Sequence, residues 1–194
     1  MPDMRIPASI AQNIRLVVLD VDGVLTDGGI YMGATASGTT VELKRFEITD
    51  GLGIKLMDRA GLHVVLVSGR TSAANRVRAE ELDVPFHEGQ GGFKLEIVER
   101  LQDLHGVTWV ETACVCDDLA DLPIFRRAGL AVAVANAVPE VLAEAYAVTS
   151  RPGGQGAVRE FAEALLRARG EWAALVAAYV LERDPTRKKA VSRP

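Results

Sequence analysis

Cysteine is nearly absent: of 194 residues, only Cys114 and Cys116 carry a thiol. Two positions apart on what reads as one buried strand, they point the same way and are poorly placed to bridge, so a reduced pair and a cytoplasmic location are expected. A zinc site at this pair would need further ligands, and none cluster nearby. No run approaches the ~20 apolar residues of a membrane span, and the N-terminus lacks the apolar core of a signal peptide, so no membrane partner is expected. A strong excess of one charge is missing as well. The net charge of -4 favours neither nucleic acid nor an anionic membrane, so an anionic substrate must be met by local cations or a metal. Aromatics are sparse at 5%, yet 48% hydrophobic and 25% charged residues describe a globular chain and exclude a largely disordered one. The length suits one core, and no internal repeat is visible.

What is present centres on Leu16-Val17-Val18-Leu19-Asp20-Val21-Asp22-Gly23. Four apolar residues in a row fit a strand covered on both faces, and Gly23 lets the chain turn sharply after the two carboxylates. Further on, extended arms around a Gly/Ser/Thr tip, within about residues 28–47, predict a β-hairpin flap. Thr49-Asp50-Gly51 starts a helix closed by Gly61. Strands and helices then alternate: His63–Val67, a helix capped by Thr71 or Ser72, Pro85–His87, a helix over Lys94–Leu104, Ala113–Cys116, Leu130–Val134 and an edge strand at Tyr146–Val148. Such alternation predicts βαβ units, hence an α/β three-layer sandwich with a parallel sheet. Arg151–Gly156 reads as a flexible connection to a helix over Ala157–Arg169. One domain is expected over residues 1–169, followed by a helix and a basic disordered tail within 170–194.

In a parallel sheet the strand ends face one edge, so Asp20 and Asp22, Ser68-Gly69 and Asp117-Asp118 can converge with Lys94 although they lie far apart in sequence. Asp20 and Asp117 suit a hard cation such as Mg²⁺, which takes carboxylates, waters and phosphate oxygens. Asp20 would attack phosphorus, giving an aspartyl-phosphate. Asp22 would protonate the departing alcohol and then take a proton from water. Ser68, backbone N–H groups and Lys94 would bind the phosphoryl oxygens. Asp118 and Asp121 are expected to cap the following helix or support the site from behind, and His63, His87 and His105, unpaired at ligand spacing, to be structural.

The runs Asp20–Asp27, Ser68-Gly69-Arg70, Lys94 and Asp117-Asp118 resemble the motifs of the haloacid dehalogenase (HAD) superfamily of phosphatases. Within it, Asp27-Gly28 leading into the hairpin, Asp50–Ile54 and Gly153–Glu160 resemble the branch acting on 3-deoxy-D-manno-octulosonate 8-phosphate (KDO 8-phosphate). The resemblance implies a Rossmann-like core without a large cap domain and a Mg²⁺-dependent homotetramer associating through the hairpins. It also implies phosphate release from an eight-carbon sugar acid on the route to lipopolysaccharide, with the neighbour's hairpin and glycine-rich tail helping to close the site. By the same analogy Asp22 also binds the metal through its main chain, and Arg70 and Arg78 are candidates for the sugar-acid end of the substrate. Two positions depart from the pattern: Cys116 stands where relatives carry glycine, and Gln155 where a basic residue is expected. A phosphatase of another sugar acid phosphate, such as sialic acid 9-phosphate, and a non-catalytic binding module of the same fold are the alternatives. A dinucleotide-binding domain would want G-x-G-x-x-G after the first strand, and that turn is missing.

Overall fold

Four consecutive apolar residues with no exposed position need a sheet layer covered from both sides, and Leu16–Leu19 is buried throughout. A computed structural model describes residues 4–184. In chain order the elements are α1 (Ala8–Ala11), β1 (Leu16–Leu19), β2 (Tyr31–Ala34), β3 (Thr40–Leu43), α2 (Ile48–Arg59), β4 (His63–Ser68), α3 (Ala73–Leu82), β5 (Phe86–Glu88), α4 (Leu95–His105), β6 (Thr112–Cys116), α5 (Leu122–Phe125), β7 (Leu130–Ala133), α6 (Pro139–Glu144), β8 (Ala147–Val148), α7 (Ala157–Ala168) and α8 (Trp172–Arg183).

The main sheet has the order β5-β4-β1-β6-β7-β8, and each of its neighbouring pairs is parallel. The chain leaves β1 towards β4 and β5, then returns across it to β6. This reversal puts the topological switch point at the carboxyl end of β1, where open parallel sheets bind ligands. Helices flank the sheet: α2 packs on α7, which also carries α1 and α8, while α4 packs with α5. The hairpin β2–β3 forms a separate two-stranded antiparallel sheet, tied to the body at its base by a bridge between Thr26 and Phe46.

Several expectations change. The helix expected after Asp121 is the single turn α5, and α6 was not expected, because it is under two turns long and opens on Pro139, too short for a readable apolar stripe. The connection at 152–156 is docked instead of loose. Gly153 N–H donates to Asn136 Oδ1 at 2.8 Å, Gly154 N–H to the Val24 carbonyl at 3.0 Å, and Arg45 to the Gly154 carbonyl at 2.5 Å. His63 and His105, expected to be structural, stack with ring centroids 4.0 Å apart, since the start of β4 and the end of α4 meet. The two cysteines are free and buried.

Beyond Gly170, α8 is fastened to the body. The guanidinium groups of Arg159 and Arg167 lie over the Trp172 ring, 5.3 and 5.1 Å from its centroid, and Arg59 pairs with Glu182 at 2.9 Å. Of the basic tail expected over Asp184–Pro194, residues 185–194 lie outside the described residues. Among the described residues no helix is long and apolar enough to cross a membrane.

Candidate active site

The turn after β1 is fixed by its own side chains. Thr26 Oγ1 accepts the N–H groups of Gly23 and Gly28, each at 3.2 Å, and donates to the Val21 carbonyl at 3.3 Å. Gly23 has φ +96, and a Cβ there would overlap the Asp117 carboxylate, so a side chain is excluded twice over. This close approach brings the ends of β1 and β6 together although almost 100 residues separate them in sequence.

Asp20, Asp117 and Asp121 present carboxylate oxygens within 4.8 Å of one another. Lys94, just before α4, joins this group, donating to Asp20 at 2.5 Å and to Asp121 at 2.6 Å. Asp121 is buried, and its other oxygen faces the backbone N–H groups of Asp117 and Asp118 at 3.5 Å. Burial, then Asp121 and the mutual repulsion of the acids, push Asp20 and Asp117 above the usual carboxylate range, although Lys94 opposes this. Burial alone would lower Lys94, but Asp20 and Asp121 reverse that and hold it above its ordinary value. Three carboxylates around one ammonium are short of positive charge, and Asp117 Oδ1 is buried with no hydrogen-bond partner. An all-oxygen donor set with an orphaned carboxylate oxygen fits a hard divalent cation.

The Asp22 carboxylate lies outside this group and has different company. Ser68 Oγ donates to its Oδ2 at 3.0 Å, Asn75 Nδ2 to the same oxygen at 3.2 Å, and Lys44 to its Oδ1. Partial burial would raise Asp22, but the bonds and charge of Lys44, with Ser68 and Asn75, keep it below the usual carboxylate value. Lys44 and Asn75 were missed in the sequence reading. A signal for Lys44 existed: on an extended strand Glu42 and Lys44 share one face, opposite Val41 and Leu43. Asn75 carries no such signal, since its place depends on where α3 starts.

The other candidates separate in space. Ser68 Oγ also accepts the Arg70 N–H at 3.0 Å, and Gly69 lies against Gly92 beside the Lys94 stem. Arg70 is half exposed at the rim, 3.5 Å from Glu42. Arg78 faces the hairpin base and α2: it meets Glu81 at 2.9 Å, the Glu47 carbonyl at 3.3 Å and the face of Phe46. In this chain's own site Arg78 therefore does not join the carboxylates. Asp118 caps the turn that follows it, accepting the Leu119 N–H at 2.7 Å. Cys116 is fully buried at the end of β6, behind the carboxylates.

A family model described as haloacid dehalogenase-like hydrolase matches residues 88–160. The 3-deoxy-D-manno-octulosonate 8-phosphate phosphatase of Salmonella typhi is 40% identical over 162 residues, 83% of this chain and 84% of that protein. The crystal structure of the Moraxella catarrhalis phosphatase of the same name, in complex with magnesium ion, phosphate ion and KDO, superposes with a TM-score of 0.81 at 35% identity, covering 89% of this chain and 97% of that one. The cobalt-bound form from Haemophilus influenzae gives a TM-score of 0.75 at 39% identity over 83% of this chain and 92% of that one. The expected core, a parallel sheet with a small hairpin and no cap domain, is thus that of the haloacid dehalogenase fold. By its identity to such relatives over most of their length, the chain belongs to the 3-deoxy-D-manno-octulosonate 8-phosphate phosphatase family of haloacid dehalogenase-like hydrolases.

Proposed function

We propose that this protein hydrolyses 3-deoxy-D-manno-octulosonate 8-phosphate to the free sugar acid and phosphate, with Mg²⁺ held by the carboxylates of Asp20 and Asp117 and the main chain of Asp22. The observation that carries the reading is the division of labour at the end of β1, where Asp20 belongs to the electron-rich carboxylate group and Asp22 to a separate set of donors. The bound cation supplies the charge neutralisation that lets a phosphate dianion approach the carboxylates.

Asp20 Oδ attacks phosphorus as the sugar oxygen leaves, forming an aspartyl-phosphate, and Asp22 gives that oxygen a proton. Water then attacks the phosphorus, passing its proton to Asp22, and phosphate departs with Asp20 restored. Lys94 holds the phosphoryl oxygens throughout, and Ser68, which gives its one proton to Asp22 in the substrate-free site, would re-aim it at the phosphoryl group on binding, leaving Oδ2 of Asp22 to Asn75. Arg70, at the rim of the same site, is the candidate for the sugar-acid end. Arg78 is nearly buried and tied to its own chain's hairpin base, which leaves it out of this reading.

Phosphate release over a panel of sugar phosphates that includes sialic acid 9-phosphate, with and without Mg²⁺, tests the substrate and the metal together. KDO 8-phosphate is expected to lead the panel, chelation to abolish release, and Asp20→Asn to lower it by at least ~10⁴-fold. Undiminished turnover by Asp20→Asn would rule the mechanism out.

A further inference from the structure

Each of the two aspartates after β1 has a lysine of its own, and the two lysines come from different parts of the molecule. Lys94, which serves Asp20, stands at the head of a core helix. Lys44, which serves Asp22, follows β3 in the hairpin, an element whose strands pair only with each other. Although the hairpin is largely exposed, the Lys44 side chain has 0% exposure. Besides Asp22 it donates to Asn75 Oδ1 at 3.0 Å and lies 3.5 Å from Glu42. Glu42 in turn accepts from Ser72 Oγ at 2.6 Å and faces Arg70 at 3.5 Å. Ser72 caps α3 and Asn75 lies in its first turn, so this inward edge of the hairpin grips the start of α3 and Asp22 together.

A carboxylate that must deliver a proton to one oxygen and later take one from water has to present the same face in both steps. Ser68 and Asn75 hold only Oδ2 of Asp22; Oδ1 is held by Lys44. We propose that Lys44 is a positioning residue that orients Asp22 towards the leaving oxygen, so that protonation of the departing alcohol depends on the hairpin being docked. The inference rests on the phosphatase reading above. Lys44 acts through Asp22: without it, Oδ1 of Asp22 would lose its partner and the carboxyl would be free to turn.

The test is a series of aryl and alkyl phosphates of rising leaving-group pKa, comparing wild type, Lys44→Met and Lys44→Arg by kcat/KM, which reports the steps up to loss of the alcohol. A nitrophenyl ester needs no proton and an alkyl ester does. Lys44→Met is expected to lower kcat/KM by ~100-fold or more on alkyl esters and by less than ~5-fold on the nitrophenyl ester, steepening the dependence on leaving-group pKa. Lys44→Arg is expected to recover part of the alkyl loss. An equal loss on both classes, with an unchanged slope, overturns the proposal in favour of packing or phosphate binding. Circular dichroism checks folding. If Lys44→Met does not fold, Glu42→Gln, which loosens the hairpin without touching Asp22, is read by the same slope and the same criterion. Should the wild type prefer a different sugar phosphate, the substrate assignment falls while the slope still decides Lys44. No turnover of any ester by the wild type would overturn both.

Discussion

Buried charges in this protein are either matched or left short for a reason, and Asp50 shows the difference. Its Oδ1 accepts the Arg159 N–H at 2.7 Å and so caps α7 from the first turn of α2, while Oδ2 is buried with no partner. Burial, opposed by the Arg159 N–H and aided by Glu47, pushes Asp50 from the ordinary 3.8 up to about 6. The native state therefore holds this proton more tightly than the unfolded chain. Its contribution to stability is intact below about pH 4, is lost as pH rises to about 6, and stays lost above that, a change of about 3 kcal/mol. Asp50→Asn keeps the capping oxygen and removes the charge. Urea unfolding of both proteins at pH 4 and pH 7 is expected to show the variant gaining roughly that amount on the wild type at the higher pH; a difference independent of pH would refute the assignment. Asp20, Asp22, Ser68, Lys94 and Asp117 were all legible as site candidates because strand ends and short motifs are local. The partners that distinguish Asp20 from Asp22 were not, since they depend on which side chains arrive from elsewhere.

At the scale of elements, the docking of the 152–156 segment on the turn after β1 matters most. A Cβ on Gly153 would overlap the Gly23 carbonyl oxygen, so two backbones meet here with no room for a side chain. Asn136, Val24 and Arg45 all contribute to holding the segment in place. Gly153→Ala must displace one backbone or the other. We expect a loss of about 2 kcal/mol or more in urea unfolding and a fall in phosphate release of at least ~10-fold, because the turn that moves carries Asp22. Wild-type stability and rate in Gly153→Ala would show the contact to be soft. From sequence this stretch reads as a flexible joint, since glycine supplies freedom in an isolated segment; only a neighbouring backbone turns the same lack of side chain into a requirement for contact.

At the scale of the whole molecule, the hairpin is the element that bears on assembly. Tyr31, Met32 and Leu43 are 57%, 69% and 62% exposed on a ribbon of only two strands. Apolar surface of this kind on a marginal element calls for a covering partner, and a homotetramer joined through the hairpins is the arrangement we propose. Sedimentation velocity at micromolar concentration is expected to show a tetramer for the wild type, and a smaller species for the double substitution Met32→Glu and Leu43→Glu, with circular dichroism unchanged. A monomeric wild type would sink the proposal. Tyr31 and Leu43 pair across one face of the ribbon, whereas Met32 pairs with Glu42 on the face from which Lys44 reaches Asp22, so assembly and chemistry would share one element.

The amino-acid sequence by itself determined the α/β alternation, the buried strand with its two terminal carboxylates, the hairpin and the reaction class. These follow from apolar periodicity, turn chemistry and short motifs, all of which act within a few residues. Tertiary structure alone decided that Lys44 and Asn75 stand on Asp22 while Lys94 and Asp121 stand on Asp20 and its neighbours. It also decided that Arg78 turns to the hairpin base and that the glycine-rich segment is packed. Such contacts join residues far apart in the chain, and their geometry is set by the strand order around β1, which no local pattern encodes.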